Sequence, residues 1–417
     1  MRQQELIPNL FRTEYRNIVS VLCYLFGIEH IETAEDLVSD TFLAATELWS
    51  LKGIPDNPTG WLYTVAKNKT RNYLKKNSIF EQKLSKEIKY TSPKTTEGDI
   101  ELDLSPKNIA DSQLAMIFTV CNPSISNESQ IALALNLLCG FGVQEIADAF
   151  LTSKDVIYKR LNRAKERLKE EKLQIRQPTS EEIAKRENNV LATLYLLFSE
   201  GYYSTSQNSI LRKDLCEEAS RLTLLLIENP MTNSPEASAL LALMSFHASR
   251  FDARIGEDGE SIIYEDQDES RWDNALIEKG IMYLNRASTG NKITQYHLEA
   301  GIAYWHTRKE DSTEKWESIL DLYNMLLMLE YAPIAALNRT YALARARGKK
   351  TAILQAEKLG LENNPFYHSL LGYLYTDMDN RKAIQQYRTA LELTSSEGSR
   401  TILQKHIQQL EAKMLKQ

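Results

Sequence analysis

The chain is short of the residues that interrupt regular secondary structure. Its 417 residues include 16 glycines and 11 prolines, whereas β-sandwiches and barrels need frequent turns built from such residues. Hydrophobic residues make up 43% and charged residues 25% of the chain, which provides packed cores and excludes a disordered protein. The sequence therefore predicts an all-α protein, with about three domains at ~150 residues each.

Cysteine, histidine and long apolar runs are also scarce. The four cysteines form no C-x-x-C pair and have no histidine at metal-ligand spacing, so we expect neither a disulfide framework nor a metal site. Gly-rich phosphate loops and catalytic constellations are absent as well, so we expect no cofactor and no enzymatic activity. Without an 18-residue apolar run, and with a charged N-terminus, we expect no membrane contact and a cytoplasmic location.

The negative charge is concentrated in the second part of the chain. Residues 1–176 hold 23 acidic and 23 basic side chains, whereas residues 177–417 hold 33 acidic and 27 basic ones. The whole excess of −6 therefore belongs to the C-terminal part. Overall charge argues against non-specific coating of nucleic acid, but local basic patches can still bind it.

Patterning divides the chain into four segments. Residues 5–77 and 111–176 are predicted to form two small helical domains. Residues 78–110 between them are polar, contain two Ser-Pro steps and are predicted to be a linker. Residues 180–417 are almost continuously helical, with Pro and Gly at intervals, and are predicted to form a third domain.

The first informative helix is acidic. Thr33, with Asp36 three residues later, resembles a capping box, and apolar residues follow at helical spacing. No Lys or Arg occurs between residues 31 and 50. Two interpretations are open, a solvated acidic face or a docking surface for a basic partner. The carboxylates are those of Glu32, Glu35, Asp36, Asp40 and Glu47.

The next helix, from Gly60 to about Lys76, is basic. Lys67, Arg71 and Lys75 recur every four residues and share one face. Trp61 lies near these charges, and cations beside aromatic rings suit single-stranded nucleic acid. The alternative is that Trp61 fills the core.

Residues 143–168 predict a helix-turn-helix. VQEIADAF supplies a short helix, Leu151 and Thr152 make the turn, and Ser153 is a good N-cap for the next helix. A buried stripe is predicted there, and a basic outer face could enter a major groove. The stripe is Ile157, Leu161, Ala164 and Leu168; the outer face is Asp155, Lys159, Asn162 and Arg163, flanked by Tyr158, Arg160, Lys165 and Arg167.

Three stretches resemble one protein family. AEDLVSDTFLAA (34–45), NPTGWLYTVAKNKTRNYL (57–74) and VQEIADAFLTSKDVIYKRLNRAKERL (143–168) are similar to stretches of bacterial RNA polymerase sigma factors of the extracytoplasmic-function type. The resemblance covers about residues 5–175. It implies a protein that binds core RNA polymerase and directs it to promoters, contacting and melting the minus-10 element and reading the minus-35 element.

The resemblance also implies a role for individual residues, by position. The loop Lys52–Asn57 matches the segment expected to hold a flipped-out base. The expected polymerase-binding residues are Glu35, Asp36 and Asp40; those for minus-10 DNA are Lys52, Asn57, Trp61, Lys67, Asn68 and Arg71; those for minus-35 DNA are Ser153, Lys154, Asp155, Tyr158, Lys159, Arg160 and Arg163.

The C-terminal part resembles a subgroup of these factors that has a long helical extension. The tetratricopeptide pattern is followed, apart from a loop one residue short, by Leu371, Gly372, Tyr375, Ala383, Tyr387 and Ala390. Helical repeats form concave surfaces that hold a protein or a peptide, so we expect a regulatory domain with such a partner. Two other classes remain open, a stand-alone helix-turn-helix regulator and a scaffold whose repeats bind a peptide.

Overall fold

The chain folds into helices only, as far as its structure is described. The computed structural model describes residues 3–76, 102–202, 212–254 and 264–415, together with 256 and 262, and within these ranges every regular element is helical. The all-α prediction is confirmed. In the same ranges, no helix is both long enough and apolar enough to cross a bilayer. Two compact units are present, Met1–Leu197 and Phe198–Gln417.

The N-terminal unit contains both of the predicted small helical domains. A π-helical segment, Ala134–Leu138, separates α5 from α6, and α8 continues past the end of the unit. The helices are α1 (Gln3–Phe26), α2 (Ile31–Lys52), α3 (Pro58–Lys76), α4 (Pro106–Val120), α5 (Asn127–Leu133), α6 (Val143–Ala149), α7 (Lys154–Glu170) and α8 (Ser180–Tyr202).

Two predicted boundaries were wrong. Helix α2 begins at Ile31, not after Thr33, because Gly27 adopts a φ of +82° and a 3-10 turn leads straight into the helix. Helix α4 begins inside the predicted linker, since the Ser105 side chain accepts a hydrogen bond from Asn108 N and caps it. The linker residues 77–101 lie outside the described residues.

One core joins the two predicted domains of this unit. Helix α1 packs against α2 and α3 and also against α4, with Ile18, Val19 and Leu22 fully buried. Its Arg12 carbonyl approaches the turn after the π-helical segment. Gly140 there has a φ of +73°, and a Cβ atom on it would lie 2.7 Å from that carbonyl oxygen. Only glycine suits this position, because both its φ and its space exclude a side chain.

Helix α8 contributes to the N-terminal unit, although residue 180 was the predicted start of the C-terminal domain. The buried Gln130 side chain accepts hydrogen bonds from Asn189 Nδ2 at 2.9 Å and from Thr193 Oγ1 at 2.7 Å. Asn189 Nδ2 also donates to the carbonyl of the buried Cys121 at 2.8 Å. These contacts explain why the compact unit extends to Leu197.

The C-terminal unit is a succession of helices in which neighbours pack in pairs, such as α13 with α14 and α16 with α17. Of the six positions of the pattern from Leu371 to Ala390, five are buried and Tyr375 is half-buried. The helices are α9 (Lys213–Glu228), α10 (Pro235–Ala248), α11 (Asn274–Ala287), α12 (Gln295–Trp305), α13 (Thr313–Leu329), α14 (Pro333–Arg347), α15 (Lys349–Glu357), α16 (Pro365–Tyr375), α17 (Asn380–Leu393) and α18 (Glu397–Leu415).

Candidate nucleic-acid interface

Helix α2 presents the expected polymerase-binding carboxylates in two different environments. Asp36 and Asp40 are exposed, and Asp40 Oδ2 lies 3.8 Å from Lys69 Nζ on α3. Glu35 is largely buried, with 18% of its side chain exposed, and accepts a 2.6 Å hydrogen bond from Lys165 Nζ of α7. Helix α2 therefore offers two exposed carboxylates, one of them within ion-pair distance of Lys69, while the third is largely buried against α7.

A second ion pair lies one turn from the first along each helix. Lys169 Nζ of α7 donates to both carboxylate oxygens of Glu32, at 2.7 and 2.6 Å. Burial is the largest single influence on Glu32 and by itself would raise its pKa. The hydrogen bonds from Lys169 and from the backbone, together with the charges of Lys169 and Lys165, lower the pKa overall. For Glu35 the balance is opposite, because burial raises its pKa although Lys165 opposes the rise. The more buried pair thus compensates incompletely for lost hydration.

Helix α3 begins at a capped turn that fixes the aromatic end of the basic face. Asn57 Oδ1 accepts a 2.9 Å hydrogen bond from Gly60 N, in the manner of an N-cap. The half-buried Trp61 ring lies 5.4 Å from the buried Trp49 ring, in an edge-on arrangement. Packing on Trp49 therefore accounts for one side of Trp61, while part of the ring remains accessible.

The other expected minus-10 residues lie on α3 or in the preceding loop. Asn68 and Arg71 are exposed on α3, Lys67 is half-buried there, and Lys52 and Asn57 are exposed at the two ends of the loop. Beside this loop lies a partly open, mainly apolar cavity of about 340 Å³ between α1 and α2. Its lining residues are Leu10, Phe11, Phe42, Ala45, Thr46, Trp49, Ser50 and Ile54.

Helices α6 and α7 are two packed helices joined by a short turn, at the residues where the sequence predicts a helix-turn-helix. They pack against each other, and Leu151 in the turn between them has a φ of +50°. Ser153 Oγ accepts a hydrogen bond from Val156 N at 3.4 Å, which confirms the predicted N-cap. The four residues of the predicted stripe are all buried, which confirms the inner face: Ile157, Leu161, Ala164 and Leu168.

The expected minus-35 residues form an exposed surface on α7 and its N-cap. Arg160 is the half-buried member, and its guanidinium lies 5.7 Å from the Phe150 ring of the preceding turn. That packing restricts its freedom to reach a base. The other six are exposed: Ser153, Lys154, Asp155, Tyr158, Lys159 and Arg163.

One buried position of α7, Lys165, was not predicted from the sequence. Lys165 was placed beside the outer face, yet it is buried, with 6% of the residue exposed. A signal was available, because Lys165 follows Leu161 by four residues and precedes Leu168 by three, and such positions are neighbours on a helix. Its partner Glu35 is 130 residues away, and no local pattern identifies a contact at that separation.

Acidic side chains between residues 265 and 273 have structural roles in the described part of the C-terminal unit. Asp273 Oδ1 accepts a 3.0 Å hydrogen bond from Leu276 N and caps α11, Asp268 caps a 3-10 turn, and Glu265 Oε1 accepts from Tyr341 OH at 2.9 Å. No grouping of three or more potential metal ligands occurs among the described residues.

Comparisons with known proteins support the assignment of the first three helices. Residues 10–79 match the family described as sigma-70 region 2, and residues 186–288 match a family of unknown function, DUF6596. The uncharacterized protein R00370 of Rhizobium meliloti (strain 1021) is 31% identical over 348 residues, which cover 83% of this chain and 82% of that protein. No solved structure matches the chain.

Proposed function

We propose that this chain, which belongs to the same family as the Rhizobium meliloti protein and carries a sigma-70 region 2 at residues 10–79, is a sigma factor of the extracytoplasmic-function type. It binds core RNA polymerase in the cytoplasm and directs it to specific promoters. The observation that carries the proposal is the match to region 2 over α1–α3, where the acidic face of α2 adjoins the basic α3. The chain itself performs no catalytic step, and the polymerase supplies the chemistry.

Polymerase docks on α2 through Asp36 and Asp40 in this proposal. Both carboxylates are exposed and lie one helical turn apart, so they present paired negative charge to a basic surface. Charge complementarity of this kind accelerates encounter and suppresses wrong partners. Glu35 belongs to the same face and becomes available when Lys165 leaves it.

The minus-10 element binds across α3 and the loop before it. Exposed Arg71 and Lys52 supply positive charge for the phosphate backbone. The accessible part of Trp61 offers a stacking surface, and the apolar cavity beside the loop can accept the flat face of an unpaired base. Melting is thus driven by the binding energy of unstacked bases.

The minus-35 element is read in the major groove by α7. Lys159 and Arg163 lie on its exposed side, opposite the buried stripe, where Arg and Lys read guanine edges or contact phosphates. The exposed N-terminal end of this recognition helix also suits the docking geometry of helix-turn-helix proteins. This half of the proposal rests on the geometry of α6 and α7.

The C-terminal unit serves as a tetratricopeptide-like regulatory domain in this proposal. Gly372 on α16 lies against Tyr387 on α17, where a Cβ atom would be 2.7 Å from the ring, as close packing of paired repeat helices requires. Such a domain would hold a protein or a peptide and would regulate the activity of the sigma part. Reconstituted transcription with the full-length chain and with a chain that ends at Leu197 tests this role. Equal transcription from the two proteins would contradict a regulatory role of the C-terminal unit.

A charge reversal tests the central part of the proposal. Asp36→Lys combined with Asp40→Lys should abolish recovery of core RNA polymerase in a pull-down, because both carboxylates would present positive charge to a basic surface. The matched control is Glu217→Lys with Glu278→Lys, which makes the same charge change at exposed positions of the C-terminal unit. Recovery by the first variant at the wild-type level would favour a stand-alone helix-turn-helix regulator instead.

A further inference from the structure

The N-terminal unit holds the polymerase-docking face and the DNA-reading helix in direct contact. Helix α7 touches α2 through Lys165–Glu35 and Lys169–Glu32, both at 2.6 Å. Elsewhere in the unit, Arg12 of α1 bonds Glu145 of α6 at 2.7 Å. Gln113 Nε2 of α4 also donates to Asn17 Oδ1 of α1 at 3.0 Å. The two predicted domains therefore share an extended polar interface over their common core.

This arrangement is too compact to span a promoter. The minus-35 and minus-10 elements are separated by about 25 base pairs, or ~85 Å at ~3.4 Å per base pair. A compact unit of 197 residues has a radius of gyration of about 16 Å and hence a diameter of ~40 Å. Residues 77–105, between α3 and α4, reach about 100 Å when fully extended, so the chain is long enough for the two domains to separate.

We propose that Lys165 and Lys169 form a latch that holds α7 on the acidic face of α2 and competes with RNA polymerase for Glu35 and Glu32. This inference rests on the proposed function and adds its regulation. In the latched form, α7 occupies part of the surface that the polymerase uses. Docking and promoter spanning both require the two ion pairs to open.

The ion pairs are suited to such an exchange. Removing one partner of a buried pair is strongly unfavourable, since the other charge is left without compensation, so Glu35 stays latched until another cation replaces Lys165. A basic polymerase surface supplies that cation without leaving the carboxylate unpaired. The second pair is more exposed, with 29% of the Lys169 side chain and 53% of the Glu32 side chain accessible, and it provides the edge at which opening begins.

The latched form still presents its DNA-reading surface. Lys159 and Arg163 are exposed while Lys165 is buried on the opposite edge of the same helix. Opening should therefore change affinity for polymerase and leave affinity for isolated minus-35 duplex unchanged. This separation of the two affinities distinguishes a latch from a general loss of stability.

The test measures binding of full-length variants to core RNA polymerase and to minus-35 duplex. Lys165→Met keeps the length of the side chain and removes its charge, and Lys169→Met does the same at the exposed pair. Arg167→Met is the matched control, because Arg167 lies on the same helix and forms ion pairs with Glu170 of that helix and with Glu171 at its C-cap. Since apparent affinity scales with the population of the competent state, we expect Lys165→Met to bind polymerase about tenfold more tightly.

Lys169→Met should have a smaller effect in the same direction, and Arg167→Met should behave as the wild type. In the wild-type protein, a zero-length carbodiimide cross-link should join Lys169 to Glu32 and disappear as polymerase saturates the chain. Equal polymerase affinity of Lys169→Met and wild type, or a cross-link that persists in the complex, would overturn the latch even if Lys165→Met failed to fold. If neither the wild type nor any variant bound polymerase, the proposed function would fail, and the latch with it.

Discussion

The helices around Cys121 and Gln130 should depend on α8 for part of their stability. Asn189 of α8 donates hydrogen bonds to two acceptors in the N-terminal unit, the Cys121 carbonyl at 2.8 Å and Gln130 Oε1 at 2.9 Å. Both acceptor residues are at most 1% exposed. Asn189→Ala removes both bonds, and Gln130 Oε1 keeps its 2.7 Å bond from Thr193 Oγ1.

The loss of stability in Asn189→Ala can be estimated from the hydrogen bonds that each acceptor loses. A buried acceptor left unsatisfied costs about 1–3 kcal/mol, and a lost hydrogen bond with a remaining partner about 0.5–1.5 kcal/mol. Asn189→Ala should therefore destabilise the region around Cys121 and Gln130 by about 2–4 kcal/mol. Thr193→Val keeps the shape of the side chain and should cost about 1 kcal/mol. Lys185→Ala, at an exposed position of the same helix, should stay within about 0.5 kcal/mol.

Native-state hydrogen exchange is the appropriate assay, because a chain with two compact units need not unfold in two states. At about 1.4 kcal/mol per tenfold, Asn189→Ala should accelerate exchange of the slowest α4 and α5 amides by about 30-fold or more. Lys185→Ala should change it by less than about threefold. Equal exchange rates in these two variants would show that the hydrogen bonds from Asn189 of α8 do not stabilise α4 and α5.

Three further predictions concern substitutions at single positions. Arg163→Ala should weaken binding to minus-35 duplex by about 1–3 kcal/mol without changing thermal unfolding. If Arg163 contacts a guanine, specificity should be lost at one base pair; if it contacts a phosphate, affinity should fall equally for all sequences. Burial lowers the pKa of Lys315 to about 8. The unfolded chain therefore binds more protons above that pH, and thermal unfolding should show stability rising between about pH 8 and 10 in wild type relative to Lys315→Met. Gly372→Ala should lower the unfolding temperature of the C-terminal unit, at a cost of about 1–3 kcal/mol, because its Cβ would overlap the Tyr387 ring. Gly398→Ala, in open space on α18, should be neutral or stabilising.

Local patterns predicted the inner face and the start of α7 correctly. The spacing of Ile157, Leu161, Ala164 and Leu168 fixes the inner face of α7, because one helical period determines which residues can be buried together. Ser153 marks its start for a similarly local reason, since an N-cap needs only its own side chain and an amide three residues later.

The errors have physical causes that such patterns do not contain. Thr33 satisfied the capping pattern, but α2 starts three residues earlier, directly after the 3-10 turn that follows Gly27. The end of the linker was misplaced because Ser105 and Pro106 begin a helix within a polar stretch. In both cases two nearby positions could start the helix, and the local backbone conformation determines which of them does.

The candidate site could be predicted residue by residue but not as an assembly. The expected carboxylates and cations do lie on the faces that helical spacing gives them, yet Glu35 is paired with Lys165 across 130 residues of chain. Likewise, Gln130 requires donors from α8, which sequence analysis placed in another domain. Contacts at such separations depend on tertiary packing, which periodicity does not encode.

Transcription-start mapping with purified components tests the central claim most directly. Core RNA polymerase would transcribe fragmented genomic DNA from the source organism, with and without the full-length chain, and the 5′ ends of the transcripts would be sequenced. If this chain is a sigma factor, new start sites should appear with it, should share two sequence elements near positions −35 and −10, and should vanish with the Asp36→Lys, Asp40→Lys variant. Start sites identical to those of core polymerase alone would contradict the account.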